Sequence, residues 1–189
     1  LYAGFQSSVI KDSDRIICSS AISSMGTGLA ETVGVWKSGL FKKIICIIGD
    51  GSLLMNVQDL QTISQHNINV AIIVVNNNGY LAIRNTQKEF LGGKYYGTHP
   101  EWNLTMPSFK KVSNAFGIDY LKVSNSSQIS KAINKIKFRK KPIICELMVN
   151  ENQEPLFKQG YAKNKDGKFI PQTLEEMYPF LHIPIANTN

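Results

Sequence analysis

Two short, β-branched, nearly uncharged runs occur in this chain: Lys43-Ile44-Ile45-Cys46-Ile47-Ile48 and Val70-Ala71-Ile72-Ile73-Val74-Val75. Runs of this kind read as parallel strands buried on both faces. Asn56 to Asn67, between them, reads as a helix. The whole is a strand-helix-strand unit of about 30 residues, the length a parallel crossover needs. Each run ends in polar and glycine residues: Gly49-Asp50-Gly51-Ser52 after the first, Asn76-Asn77 after the second. One acid and one carboxamide therefore reach the same carboxyl edge of the sheet. That edge is where open α/β sheets bind ligands.

The alternation continues along the chain. Arg15 to Ser19 reads as a strand and Met25 to Lys37 as a glycine-rich helix. Tyr80 to Phe90 and Ser108 to Phe116 read as helices, and Asp119 to Val123 as a strand. Ser126 to Phe138 reads as a helix with Ile129, Ile133 and Ile136 on one face, opened by a capping-box-like Asn125 and Gln128. Pro142 to Val149 is the last strand. The expected class is α/β, a doubly wound parallel sheet with helices on both faces. Residues 1–149 are expected to form this domain, with its N-terminal strand truncated because the chain starts at Leu1. Residues 150–189 show no strand run and carry Pro155, Pro171, Pro179 and Pro184, with a capped turn at Thr173-Leu174-Glu175-Glu176. They read as an extended C-terminal arm. The long loop from Leu91 to Pro107 reads as a functional lid or partner surface.

Composition bounds the function. The 189 residues are 43% hydrophobic and 19% charged, enough for one well-buried domain. No apolar run approaches the ~20 residues of a membrane-spanning helix, and no signal peptide is visible. The net charge of +7 concentrates at Lys135-Ile136-Lys137-Phe138-Arg139-Lys140-Lys141. With Pro142 following, this cluster reads as a solvated helix end whose cations oppose the helix dipole, in preference to a nucleic-acid patch. Cys18, Cys46 and Cys145 each lie in an apolar run without CxxC spacing, as small buried residues of a reducing cytoplasm do. His66, His99 and His182 are dispersed, with no partner at ligand spacing. The expectation is a cytoplasmic protein with neither membrane nor nucleic-acid partner.

Asp50 supplies a carboxylate oxygen and Asn77 an amide oxygen, and the Asn78-Gly79 turn exposes a backbone carbonyl. All are hard ligands. One negative charge leaves a divalent cation partly uncompensated, and a diphosphate would complete both charge and coordination. Mg²⁺ takes about six oxygens and usually draws some from phosphates. Gly51 lets the backbone approach the phosphate without a Cβ, and Ser52 offers N–H and hydroxyl donors. The small-residue run from Ala21 to Ala30 has two readings. It lets a flat ring lie against the backbone above Met25, or it packs helix on sheet through Gly26, Gly28 and Gly34.

These residues resemble the C-terminal, diphosphate-binding domain of thiamine-diphosphate enzymes of the acetolactate-synthase type. The resemblance runs from Arg15 to Val149. It rests on Gly49-Asp50-Gly51-Ser52, on Met55-Asn56-Val57-Gln58-Asp59-Leu60, and on Val75-Asn76-Asn77. It implies the thiamine-diphosphate-binding fold of the diphosphate-domain type. It implies Mg²⁺ held by Asp50, Asn77 and the Gly79 carbonyl, with diphosphate contacts from Gly51 and Ser52. It further implies that Met25 props a bent thiamine diphosphate whose aminopyrimidine meets the Ser23 and Met25 backbone. The activating glutamate of such enzymes sits on a separate pyrimidine-binding domain, usually of a second subunit. The resemblance therefore implies a homo-oligomer acting on a 2-keto acid as a transferase or lyase, with the present chain inactive alone.

Ile83 stands where pyruvate-decarboxylase relatives place a catalytic Glu, which favours the acetolactate-synthase side. The segment Ile83-Arg84-Asn85-Thr86-Gln87 lacks the Trp of acetolactate synthases. It resembles acetolactate-synthase-like proteins, some of them lyases of surface-sugar pathways. Arg84 is then either an anion-binding cation or a surface cation on a short helix. Two further readings are a noncatalytic assembly or regulatory domain, which loss of Asp50 or Asn77 would have favoured, and a nucleotide-binding domain. The second lacks GxGxxG and Walker patterns, since Gly26-Thr27-Gly28 has no continuation.

Overall fold

A computed structural model describes residues 9–12, 14–19, 22–153 and 160–173. In chain order the elements are α1 (Thr27–Lys37), β1 (Ile44–Gly49), α2 (Asp50–Met55), α3 (Asp59–Gln65), β2 (Val70–Asn76), α4 (Leu81–Phe90), α5 (Phe109–Ala115), β3 (Asp119–Val123), α6 (Ile129–Lys137), β4 (Ile143–Met148), β5 (Tyr161–Lys163) and β6 (Phe169–Pro171). The first four strands form one parallel sheet in the order β1-β2-β4-β3. Register sets Gly49 against Val75 and Asn76 against Met148, so the ends of β1, β2 and β4 are level. The residues after β1 and β2 thus emerge side by side.

Each face of the sheet buries a helical layer. On one face Leu29 of α1, Leu53 of α2, Leu60 and Ile63 of α3 and Phe109 of α5 pack with Ile44, Cys46, Ile48, Val70, Ile72 and Val74. On the other, Ala132 and Ile136 of α6 pack with Ala71, Val123, Ile143 and Cys145. Fully burying one such side chain contributes about 1.5–3 kcal/mol. The expected α/β parallel sheet with helices on both faces is therefore the observed architecture.

Several local expectations are corrected. β1 is not buried on both faces: Ile45 and Ile47 are 62% and 69% exposed. β1 forms the sheet edge, and the buried cluster beneath α6 draws its strand residues from β2, β3 and β4. Arg15–Ser19 carries no strand, because among the described residues no neighbouring strand hydrogen-bonds to it. The helix expected over Asn56–Asn67 begins at Asp50 and breaks at Asn56 (φ −133°, ψ 40°), then resumes at Asp59. The isoleucine stripe of α6 is only partly inward, with Ile129 40% and Ile133 57% exposed, because Ala132 and Ile136 make the core contact. The expected capping box is not formed: Gln128 Oε1 accepts from Ser124 N and Asn125 Oδ1 from the Ser127 hydroxyl, so neither side chain takes the other's N–H. The basic cluster does end a helix. Lys43 Nζ donates to the terminal carbonyls of Ile136 and Lys137, and Arg139 pairs with Asp119.

The chain divides into two compact units, Ile16–Asn152 and the two terminal segments Leu1–Arg15 with Gln153–Asn189. Within the second unit the expected strandless arm is corrected. β5 and β6 pair antiparallel across an Asp166-Gly167 turn in which Gly167 has φ +77°. Asn164 Oδ1 accepts from Asp166 N at 3.0 Å and Lys168 N at 2.8 Å, closing the hairpin. Of the tail prolines only Pro171 is described; Pro155, Pro179, Pro184 and the Leu174–Glu176 part of the capped turn lie outside the described residues, as does His182.

Candidate functional site

The first turn of α2 joins two loops. Asp50, 2% exposed, accepts at Oδ1 from its neighbour's N–H (Gly51, 2.7 Å) and at Oδ2 from Gly79 N–H (2.7 Å). The acid thereby reaches across to the turn after β2. Ser52 Oγ accepts from Gly26 N–H at 2.7 Å, and Asn56 Nδ2 donates to Gly26 carbonyl at 2.9 Å. The side chain that breaks the helix at Asn56 thus holds the turn before α1. Ser23 (φ +53°) and the 40%-exposed Met25 lie in that turn, just before Gly26 (φ +92°). Asp50, Gly51, Ser52 and Gly79 are brought together directly, and Ser23 and Met25 approach through Gly26. Asn77 is half-buried, and its side-chain amide has no hydrogen-bond partner among the described residues.

A Cβ on Gly51 would lie 2.5 Å from Tyr80 Cε1, so the space kept open there receives the Tyr80 ring. Gly28 admits Ile48 and Cys46, as helix-on-sheet packing requires, whereas a Cβ on Gly34 would meet nothing within 4 Å among the described residues. Gly79 has φ +92°, and a Cβ would sit 2.8 Å from Leu104 Cδ2 and 3.0 Å from Met106 Cε. Gly79→Ala is expected to cost about 2–4 kcal/mol, combining left-handed strain with overpacking. Urea denaturation measures it, and a loss under 0.5 kcal/mol would contradict the reading, on the order of what an ordinary surface substitution costs.

One of the two sequence readings of Arg84 is corrected, and Glu146 escaped sequence reasoning. Arg84 is 5% exposed, so it is not a surface cation. Its Nη1 donates to the carbonyls of Gly79 (2.5 Å), Asn78 (3.1 Å) and Thr98 (3.1 Å), and Nη2 to Asn77 (3.0 Å). Glu146 of β4, 6% exposed, accepts from Asn76 Nδ2 at 2.6 Å and from the Tyr120 hydroxyl. Asn76 Oδ1 in turn accepts from Asn78 N at 3.0 Å, so strands β3, β4 and β2 are chained to the turn. Burial, and then the Glu146 hydrogen bond and charge, push the Tyr120 hydroxyl pKa up. Burial likewise raises the Cys46 and Cys145 thiols, and all three cysteines are free. The alternation Ile-Cys-Glu in β4 is the one local sign that Glu146 is buried, since a charge inside a strand run is costly unless bonded.

The donor set fits a hard cation with a phosphate partner. No group of three or more His, Cys, Asp or Glu able to hold a metal occurs among the described residues. A cation there would draw on the Asp50 carboxylate, on amide and carbonyl oxygens and on a ligand's own oxygens, which is the Mg²⁺–phosphate pattern. Each Asp50 oxygen accepts one N–H and keeps a lone pair, as does the Gly79 carbonyl.

Residues 4–147 match the family model of the thiamine pyrophosphate enzyme C-terminal TPP-binding domain. The chain is 32% identical over 146 residues to the acetolactate synthase large subunit of Pyropia yezoensis, covering 76% of the chain and 24% of that protein. Against acetolactate synthase isozyme 2 large subunit of Escherichia coli K12 it is 28% identical over 154 residues, covering 80% and 28%. The thiamine diphosphate-dependent 4-hydroxybenzoylformate decarboxylase of Rhodococcus jostii RHA1 superimposes with a TM-score of 0.61 at 25% identity, over 69% of the chain and 24% of that structure. The chain spans about a quarter of the length of the curated relatives it matches.

Proposed function

Because the chain belongs to the family of C-terminal TPP-binding domains of thiamine pyrophosphate enzymes, we propose that it is the diphosphate- and magnesium-binding domain of an acetolactate-synthase-like 2-keto-acid carboligase or decarboxylase. One observation carries the reading: the buried Asp50 carboxylate is bonded to Gly79 N–H, so the acid and the Asn77–Gly79 turn meet at one point. Asp50, the Asn77 amide and the Gly79 carbonyl would hold Mg²⁺. Gly51 and Ser52 would meet the diphosphate, and Ser23 and Met25 the aminopyrimidine side. When bound, thiamine diphosphate supplies the carbanion chemistry, and the protein supplies orientation and electrostatics. The activating glutamate would come from a pyrimidine-binding domain of a second subunit, so the working protein is a homo-oligomer and this domain alone is inactive. No described helix is long and apolar enough to cross a membrane. The free cysteines support a cytoplasmic setting.

Calorimetric titration of thiamine diphosphate into the full-length protein tests the cofactor. Affinity at least about tenfold tighter with Mg²⁺ than without is expected, and affinity indifferent to Mg²⁺ would reject the metal role. A panel of 2-keto acids assayed for CO₂ release and carboligation then identifies the substrate.

A further inference from the structure

Arg84 is a buried cation with no carboxylate partner among the described residues, unlike Arg139, which pairs with Asp119. Its guanidinium gathers four carbonyls instead. Three are consecutive, Asn77 to Gly79, and their oxygens repel one another when they converge. A planar fork of donors offsets that repulsion and sets the direction of each carbonyl. The fourth, Thr98, belongs to the loop from Leu91 to Pro107. Gln87, three residues along α4 from Arg84, holds the same loop: its Oε1 accepts from the Thr98 hydroxyl at 2.6 Å and its Nε2 donates to Tyr96 carbonyl at 3.2 Å. One short helix thus ties the loop to the turn that carries Asn77 and Gly79. The 96–98 stretch of this loop, read from sequence as a functional lid or partner surface, is pinned to α4.

We infer that Arg84 is a positioning residue. It aims the Gly79 carbonyl at the cation and couples order in the 91–99 loop to cation binding. This rests on the cation reading above. Coupling of this kind is reciprocal: binding the ion steadies the loop, and loosening the loop weakens the ion. The direction of the effect follows from the bonds. Without the fork, the three carbonyls splay and the Thr98 tie is lost.

The test uses the full-length protein with Mn²⁺ in the presence of thiamine diphosphate. Paramagnetic resonance reads Mn²⁺ affinity, and hydrogen exchange reads amides 91–99. In the wild type, Mn²⁺ with thiamine diphosphate is expected to slow exchange in this loop. In Arg84→Met, Mn²⁺ affinity should fall about tenfold or more, as losses of residues that orient metal ligands do. Loop exchange should be fast with or without the ion. Arg84→Lys keeps the charge but not the fork and should lose nearly as much, and it serves if the Met variant fails to fold. Gln87→Ala should speed loop exchange while its Mn²⁺ loss stays smaller. Wild-type Mn²⁺ binding with unchanged affinity or unchanged loop exchange in both Arg84 variants overturns this proposal alone. Absence of Mn²⁺ binding in the wild type overturns the cation reading itself, and the coupling with it.

Discussion

Asp50→Ala is expected to weaken Mg²⁺-dependent cofactor binding by at least about 100-fold, since even partners that only orient metal ligands cost 10–100-fold. Asp50 is the buried carboxylate that bonds the turn's backbone, so its loss removes the negative charge that would face the cation. A second effect is structural. The Gly51 and Gly79 N–H groups both lose their acceptor in buried surroundings, at about 1–3 kcal/mol each. Asp50→Asn separates the two. Its remaining oxygen serves one N–H, while its NH₂ faces the other. Binding should fall nearly as far as in the Ala variant, with about half the loss of stability. Calorimetry and urea denaturation of wild type and both variants measure this. Retained Mg²⁺-dependent affinity in Asp50→Ala would remove the basis for the functional reading.

Glu146→Leu is expected to destabilise the protein by about 3–6 kcal/mol, the sum of two hydrogen bonds to a charged group. Asn76 Nδ2 and the Tyr120 hydroxyl would both lose their partner beside a packed strand. Glu146→Gln preserves the shape and an acceptor and should lose less than half as much. The Tyr120 end adds a pH signature. Its pKa is raised in the folded state by burial and by Glu146. The unfolded chain therefore releases the tyrosine proton first, near pH ~10. Above that pH the folded state binds more protons than the unfolded one, so stability falls as pH rises. The contribution is fully present below pH ~10 and drains away as pH climbs toward the folded value. Urea midpoints between about pH 8 and 11 should fall more gently in Tyr120→Phe than in wild type over the upper part of this range. Parallel curves would show that the Tyr120 hydroxyl pKa is not raised on folding.

How much of this was legible beforehand depended on the range of the interaction. The order of strands and helices from Ile44 to Met148 follows from residues close in sequence, so it could be read with small boundary shifts. The break at Asn56 could not, because its cause is the Gly26 carbonyl, thirty residues away. The same holds for the failed strand at Arg15–Ser19: an apolar β-branched run becomes a strand only when an edge pairs with it. In the tail, four prolines spoke against strands, yet Asp166-Gly167 between Tyr161–Lys163 and Phe169–Pro171 was a legible hairpin signal that outweighs them locally.

By itself, the amino-acid order determined a parallel α/β sheet and the delivery of Asp50 and Asn77 to one edge of it. It did so because β-branched runs, glycines and short polar residues act through the backbone of their own segment. Tertiary structure alone decided that Tyr80 fills the space beside Gly51, that Arg84 is buried beneath the Asn77–Gly79 turn, and that Glu146 anchors Asn76 from another strand. A charged side chain looks the same in sequence whether it faces water or a cluster of carbonyls. Only folding brings the partners close enough to offset its desolvation.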